Sequence, residues 1–266
     1  MIDDALIGPA YPEYGWVPAP RYLLRRARVM RLAEPLAAGG KLLEIGPGAG
    51  VLLTEFAKRG FDCEALDLSA EARELSSKVF AASGTPIRMR ERVSDDLQEQ
   101  FDAIFAFEVL EHIEDDLEAL RLWKSWLKPG GRLLLSVPAH MRLWTARDEW
   151  AGHVRRYERP ALETVVRQAG FELETFECYG FPLSNLSEFV SAPIFARGIR
   201  SGGSDAAADR RSNNDRSGID RGADMKLYPL VKSIPGKLAM RTAFFLQNRF
   251  LHTDLGSGYL LMARRP

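Results

Sequence analysis

The sequence has only two cysteines among its 266 residues, which limits the covalent and metal chemistry that it can support. Cys63 and Cys178 lie far apart in the chain and match neither a zinc-binding nor a thioredoxin-like spacing. Isolated cysteines of this kind usually act as small buried apolar side chains. We therefore expect both to be buried, in a protein of a reducing compartment.

The sequence also lacks a net charge and a long apolar run. Basic and acidic residues number 36 each, so nothing in the overall charge favours a nucleic acid or an acidic partner. The N-terminus has no basic segment followed by an apolar stretch, so we predict no signal peptide. The most apolar stretch, Phe181 to Ile199, is interrupted by prolines and charged residues and is too broken to span a bilayer. We expect a cytoplasmic protein.

Strand-like and helix-like segments alternate through most of the chain, which predicts a parallel sheet covered by helices on both faces. The expected organisation is a single α/β domain over residues 1–266 with a helical lead-in over residues 1–38. Residues 181–257 interrupt the alternation and are predicted to form a cap inserted before a last strand, Gly258 to Ala263. Within this cap, residues 198–224 are rich in Gly, Ser, Asn, Asp and Arg, which predicts a mobile loop.

A glycine-rich loop joins the first predicted strand to the next helix. Its glycines are Gly46, Gly48 and Gly50, and such a turn lets backbone amides approach a ligand closely. A dinucleotide fingerprint would place its third glycine at Val51, and no lysine follows as in a phosphate-binding loop. Asp67 ends the next strand, where an acidic side chain can accept hydrogen bonds from ribose hydroxyls or cap a helix instead. The spacing favours a nucleoside ligand without a pyrophosphate.

Four motifs in this order resemble those of class I S-adenosylmethionine-dependent methyltransferases, among them the quinone-precursor O-methyltransferases. They are the run from Glu44 to Gly50, Asp67, the run from Phe101 to His112, and the run from Leu127 to Gly131. The resemblance implies a Rossmann-like sheet of seven strands, mostly parallel with an antiparallel last strand. It also implies S-adenosylmethionine as the cofactor. The residues that it assigns to cofactor binding are Trp16, Arg21, Glu44, Gly46, Gly48, Gly50, Asp67, Leu68, Asp95 and Glu108.

The run that follows the central strand offers a first set of catalytic candidates. Glu108, Glu111 and His112 would share one face if a helix begins there. In the quinone-precursor enzymes that this run resembles, the corresponding residues are associated with a divalent metal, and two carboxylates with an imidazole form a plausible ligand set. The alternative, which we adopt, is a site without metal in which His112 acts as a base or a structural hydrogen-bonding group.

The loop between Asp148 and Tyr157 offers a second set, since this fold builds acceptor pockets after its later strands. His153 is the predicted general base, with Asp148 as its orienting partner and Tyr157 as a donor that positions the acceptor. The alternative is a charged loop that holds the helix beginning at Arg159, with Tyr157 buried.

The predicted cap interleaves apolar residues with basic ones on both sides of the predicted loop. This pattern is typical of peripheral contact with a membrane, of a lid over a hydrophobic acceptor, and also of an ordinary helical cover on the sheet. We predict methyl transfer to a small molecule, at an oxygen of a hydrophobic or lipid-linked compound, without a nucleic acid partner. The alternatives are an NAD-dependent oxidoreductase and a non-catalytic protein that binds the cofactor.

Overall fold

The structure is a computed structural model that describes residues 1–188, 219 and 221–266. Its strands are β1 (Lys41–Ile45), β2 (Asp62–Leu66), β3 (Arg88–Arg90), β4 (Phe101–Phe107), β5 (Leu127–Pro138), β6 (Glu172–Tyr179) and β7 (Gly258–Arg264). Its α-helices are α1 (Pro20–Leu32), α2 (Val51–Lys58), α3 (Ala70–Ser83), α4 (Asp116–Trp126), α5 (Ala146–Ala151), α6 (Arg159–Gln168), α7 (Gly222–Val231) and α8 (Ile234–Phe250). Residues 183–188 are helical as well.

The strands form one sheet of seven strands in the order β3-β2-β1-β4-β5-β7-β6. Neighbouring strands are parallel except that β7 runs antiparallel to both β5 and β6. The predicted fold class is therefore confirmed, including the antiparallel last strand. Because β1, β2 and β4 are parallel neighbours at the centre, the loops that follow them meet at one edge of the sheet.

Two clusters of buried apolar side chains cover the two faces of the sheet. Along β4, Phe105 belongs to one cluster and Ile104 to the other, because successive side chains of a strand point to opposite faces. Phe105 packs edge-to-face on Phe56 of α2, with ring centroids 4.9 Å apart. Both faces are thus apolar, which explains why the central strands read as continuous hydrophobic runs.

Two predicted boundaries differ from the structure. Helix α1 ends at Leu32, short of the end of the predicted lead-in at residue 38, because Pro35 disfavours helix in the residue before it. Most of the predicted mobile loop, residues 198–218 and 220, lies outside the described residues. Its last part is helical, since α7 begins at Gly222 and is anchored by the buried Tyr228.

None of the helices in the described part of the chain is long and apolar enough to cross a bilayer. Helix α8 packs on α1 through Gln247, which is almost fully buried. Its amide nitrogen donates to the Leu24 carbonyl at 3.1 Å, and its amide oxygen accepts from the Gly180 N–H at 2.9 Å. One side chain therefore joins the predicted cap to the lead-in helix and to the end of β6.

Substituting Gln247→Ala is expected to lower the free energy of unfolding by about 2 kcal/mol, because the buried Gly180 N–H loses its partner. Urea denaturation followed by circular dichroism measures this loss. Asn248→Ala is the control, since Asn248 only accepts a surface hydrogen bond from Arg28, and we expect a change below about 0.5 kcal/mol. Equal stabilities for the two variants would contradict this role of Gln247.

Candidate active site

Two adjoining cavities open at the edge of the sheet where β1, β2 and β4 end. The larger has a volume of about 760 Å³, within the usual range for small-molecule sites, and is walled mainly by apolar residues of β2, α4 and the loop after β4. The smaller, about 170 Å³, is lined by charged residues of α1, α5 and the loop that follows α5. Gly46, Gly48, Glu108 and His112 line both cavities. A ligand that fills both must pass these four residues.

The glycine loop forms the floor between the cavities because its backbone takes left-handed conformations. Gly46 has φ of +62° and Gly50 has φ of +68°. A Cβ atom on Gly50 would lie 2.4 Å from the ring of Phe80, and one on Gly46 would lie 2.7 Å from the side chain of Val109. Larger residues would therefore push these neighbours away and strain the turn.

Asp67 lies at the end of β2 and lines the larger cavity. Its two carboxylate oxygens accept from the Gly48 N–H at 3.3 Å and the Ser69 N–H at 2.9 Å, which fixes the orientation of the group. Leu68 is exposed and lines the same cavity. Asp95 does not: it is exposed in a short 3₁₀ turn, and Val93 lines the cavity instead. The structure thus gives no support to Asp95 as an adenine-binding residue.

Glu44 lies at the end of β1 and lines the smaller cavity, almost completely buried. One of its carboxylate oxygens has no hydrogen-bond partner. Burial raises the pKa of Glu44 to about 8, more than the nearby Arg25 lowers it. A cationic group of a ligand placed beside this carboxyl group would favour its ionised form.

Glu108 joins the lead-in helix to three strands. Its carboxylate pairs with Arg21 at 2.8 Å and with Arg25 at 3.5 Å, and it accepts hydrogen bonds from Ser136 at 3.0 Å and Tyr179 at 3.1 Å. Burial alone would raise its pKa, but the two guanidinium groups lower the pKa of Glu108 to about 2. Arg25 was not among the predicted site residues, although its position one helical turn after Arg21 was a usable signal.

The predicted grouping of Glu108 with Glu111 and His112 is wrong. Glu108 has φ of +58° and precedes the short helix over Leu110–His112, so its side chain turns toward α1. Glu111 and His112 instead meet His153, with donor atoms of the three residues all within 4.8 Å of one another. Both oxygens of Glu111 and Nδ1 of His112 are buried without hydrogen-bond partners.

The pKa values of both side chains are shifted toward the neutral form. Burial, together with the charge of Glu108, raises the pKa of Glu111 well above its ordinary value. Burial and the neighbouring His153 lower the pKa of His112 to about 4. An imidazole with so low a pKa accepts a proton poorly near neutrality, so His112 is the weaker candidate for a general base.

His153 forms a hydrogen-bonded pair with Asp148 beside the smaller cavity. Nδ1 of His153 lies 2.9 Å from Oδ1 of Asp148, and Arg156 holds the same carboxylate through bonds of 2.7 and 2.9 Å. Although burial opposes it, these two partners hold the pKa of Asp148 well below its ordinary range, so the group is ionised. An ionised Asp148 accepts the proton of Nδ1, which leaves the lone pair of the imidazole on Nε2.

Tyr157 does not belong to this site, which corrects its predicted role as a positioning donor. Its ring is buried in the core on one face of the sheet, and its hydroxyl donates to Asp116 at 2.9 Å. The hydroxyl therefore holds the loop against the start of α4. The other predicted residues, Trp16 and Arg21, do line the smaller cavity, where Trp16 packs edge-to-face on Tyr22.

The order and direction of the seven strands are those of the Rossmann-like methyltransferase fold. Residues 19–175 match the family described as a methyltransferase domain. A ubiquinone biosynthesis O-methyltransferase of Xanthomonas axonopodis pv. citri is 31% identical over 184 residues, covering 63% of this chain and 74% of that protein. The chain belongs to the methyltransferase-domain family. It is an enzyme that uses S-adenosylmethionine, and the oxidoreductase alternative gains no support.

Solved structures show the same fold at low sequence identity. The 4+2 cyclase SpnF matches with a TM-score of 0.55 at 21% identity, covering 92% of this chain and 81% of that one. Phosphoethanolamine N-methyltransferase 2 of Haemonchus contortus, in complex with S-adenosylmethionine, matches with a TM-score of 0.55 at 17% identity, covering 91% of this chain and 52% of that one. Because these identities are low, the likeness concerns the fold alone.

We expect Glu44 to release a proton when S-adenosylmethionine binds, because the amino group of the cofactor favours the ionised carboxylate. With a pKa of about 8, Glu44 is mostly protonated at pH 7 in the free enzyme. Titration calorimetry in buffers of different ionisation enthalpy should show about 0.9 more protons released by the wild type than by Glu44→Gln. The affinity of the wild type should rise with pH up to about 8, relative to that of the variant. Equal proton release by both proteins would contradict the prediction that Glu44 lies in the cofactor site.

Proposed function

We propose that the enzyme transfers the methyl group of S-adenosylmethionine to an oxygen of a small hydrophobic or lipid-linked acceptor, with His153 as the general base. The observation that carries this proposal is the His153–Asp148 pair beside the smaller cavity. A hydroxyl acceptor must lose its proton as its oxygen attacks the methyl carbon. The new O–C bond forms while the S–C bond breaks, S-adenosylhomocysteine leaves, and the proton moves to Nε2 of His153.

The sequence relatives support an oxygen acceptor. The relatives include ubiquinone biosynthesis O-methyltransferases, and the chain spans 74% of one such protein and 64% of another. A precursor of a quinone is a phenol with an apolar tail, which suits an acceptor that is both ionisable and hydrophobic. We carry over this class of acceptor and no particular compound.

The charge of the smaller cavity also supports an acceptor that becomes an oxyanion. Arg21, Arg25 and Arg147 line it. Burial, together with the charge of Arg21, lowers the pKa of Arg147 to about 10. A positive potential stabilises the negative charge that develops on the attacking oxygen.

A divalent cation is a second way to activate the hydroxyl group, and the residues present fit one. Glu111, His112 and His153 would hold it, since their donor atoms converge and Glu111 has two buried oxygens without partners. A cation bound there would lower the pKa of the acceptor hydroxyl. Glu108, which the family resemblance would include, is already paired with two arginines.

His153→Ala is expected to lower kcat about 10²- to 10⁴-fold while the affinity for S-adenosylmethionine stays within about twofold, because the loss concerns proton transfer. The measurement is transfer of a radiolabelled methyl group to a panel of phenols and prenylated phenols. Added imidazole should restore part of the activity. The control is His252→Ala, which changes an exposed histidine outside both cavities.

Three outcomes of this assay contradict the proposal in different ways. Full activity of His153→Ala would exclude it as the base, whereas activity lost to a chelator and restored by Mg²⁺ would favour the cation. If the wild type binds the cofactor but methylates none of the phenols, phenolic acceptors are excluded. A non-catalytic protein that binds the cofactor is then again an alternative.

We further propose that α7 and α8 contact an anionic membrane surface. Residues 225–253 include five basic residues and no acidic residue, in a chain whose net charge is zero. Apolar side chains are exposed around the turn between the helices, most of all Ile234 at 86%. The exposed apolar set is Leu227, Leu230, Ile234, Leu238 and Phe245. Apolar side chains surrounded by basic ones suit the interface of an anionic bilayer.

Flotation with phosphatidylglycerol vesicles at low salt tests this contact. Wild-type protein should float, and Lys232→Glu with Arg241→Glu should lower binding more than tenfold, at about 1 kcal/mol for each basic residue lost. The charge-matched control is Arg88→Glu with Arg92→Glu, at two exposed positions on and beside β3. Absence of wild-type flotation would leave α7 and α8 as a protein-only cover of the sheet.

A further inference from the structure

A second cluster of metal-binding side chains lies outside both cavities, at the edge where β5, β6 and β7 meet. His140 follows β5, Cys178 is in β6, and Asp254 precedes β7. One ring nitrogen, the sulfur atom and one carboxylate oxygen all lie within 4.8 Å of one another. These residues line neither cavity and have no part in the proposed methyl transfer.

The imidazole of His140 has the arrangement of a metal ligand. The residue is 2% exposed, and Nδ1 lies 3.3 Å from a carboxylate oxygen of Glu158. Nε2 is buried, has no hydrogen-bond partner among the described residues, and lies 3.7 Å from Oδ1 of Asp254. Metal-bound histidines commonly donate one ring N–H to a carboxylate, which directs the lone pair of the other nitrogen at the ion.

Cys178 supplies a soft ligand in the same place. Burial raises the pKa of its thiol to about 12, so the group stays protonated unless a cation is bound. The Gly256 N–H donates to its sulfur atom at 3.1 Å, and such a bond stabilises a thiolate once it forms. The neighbouring backbone is therefore already arranged around a sulfur that can carry charge.

Asp254 completes the set on the solvent side. Its side chain is half exposed, and its Oδ1 accepts a hydrogen bond from the Tyr259 hydroxyl at 2.6 Å. An ion and a water ligand can reach the cluster from this side, while His140 and Cys178 close the other.

We propose that His140, Cys178 and Asp254 bind a zinc ion, with water as the fourth ligand. Zinc accepts thiolate, imidazole and carboxylate ligands in tetrahedral geometry, whereas magnesium and calcium prefer oxygen alone. Tetrahedral ligand atoms lie roughly 3.3–3.8 Å apart, so three donors within 4.8 Å of one another need to close by about 1.5 Å at most. Glu158 and Tyr259 support the ligands from outside.

The ion would hold the start of the loop that carries the predicted base. The backbone N–H of His140 donates to the Tyr157 carbonyl at 2.8 Å. The guanidinium group of Arg156, which also binds Asp148, donates to the Ala139 carbonyl at 3.3 Å. An ion that joins His140 to Cys178 of β6 and to Asp254 therefore stabilises both ends of this loop. The expected role is structural.

Titration of the full-length apoprotein with Co²⁺ tests the site, because cobalt reports its ligands by absorption. One equivalent should produce a thiolate-to-cobalt charge-transfer band, with release of about one proton from the thiol. Cys178→Ala should abolish the band, and the matched control Cys63→Ala, at the other buried cysteine, should keep it. Zinc should raise the melting temperature of the wild type and of Cys63→Ala, but not that of Cys178→Ala.

The test remains decisive if Cys178→Ala fails to fold. Asp254→Asn changes a half-exposed carboxylate to an amide of the same shape and should weaken cobalt binding at least tenfold. No charge-transfer band in the wild type, a band that survives in Cys178→Ala, or unchanged affinity in Asp254→Asn would each overturn the proposal. A cation at Glu111, His112 and His153 cannot imitate the signal, since that group contains no sulfur.

Discussion

The buried carboxylate of Glu108 is the charge on which the rest of the site depends. A carboxylate with so little exposure would be strongly destabilising unless cations paired with it. Arg21 and Arg25 supply those cations, so helix α1 must lie where both of these side chains reach Glu108, just after β4. The same packing closes one wall of the smaller cavity with Trp16. Neutralising this one charge thus constrains where the lead-in helix lies and how the smaller cavity is enclosed.

The separation of protonation states around Glu108 follows from the same electrostatics. Glu108 keeps its charge because two guanidinium groups face it. Burial and the charge of Glu108 instead raise the pKa of Glu111 well above its ordinary value. His112 is neutral. Asp148 is ionised because Arg156 and His153 hold it. Of the histidines at the cavities, His153 is therefore the one with a fixed tautomer and an ionised partner.

The parts that the sequence predicted well depend on local patterns. The last strand was predicted over Gly258 to Ala263 and runs over Gly258–Arg264, because a hydrophobic run is a property of a short segment. Errors arose where a distant partner decides the outcome. Tyr157 turns to Asp116, 41 residues away, and Glu108 turns to α1, 87 residues away. No sequence pattern within either loop indicates those distant hydrogen-bond partners.

The positions of the cavity-lining residues in the sequence explain why sequence similarity identifies the cofactor more readily than the methyl acceptor. The glycine loop, Asp67 and Glu108 all lie within residues 19–175, which match the family. Trp16 and Arg221 also line the smaller cavity, and both lie outside that range. An in-line displacement requires the acceptor on the side of the methyl group opposite the sulfur, so the acceptor contacts walls that differ from the cofactor's. The fold itself does not fix the reaction, since a cyclase shares it. The family match therefore leaves out part of the wall of the smaller cavity, at Trp16 and Arg221, while it includes the predicted base His153.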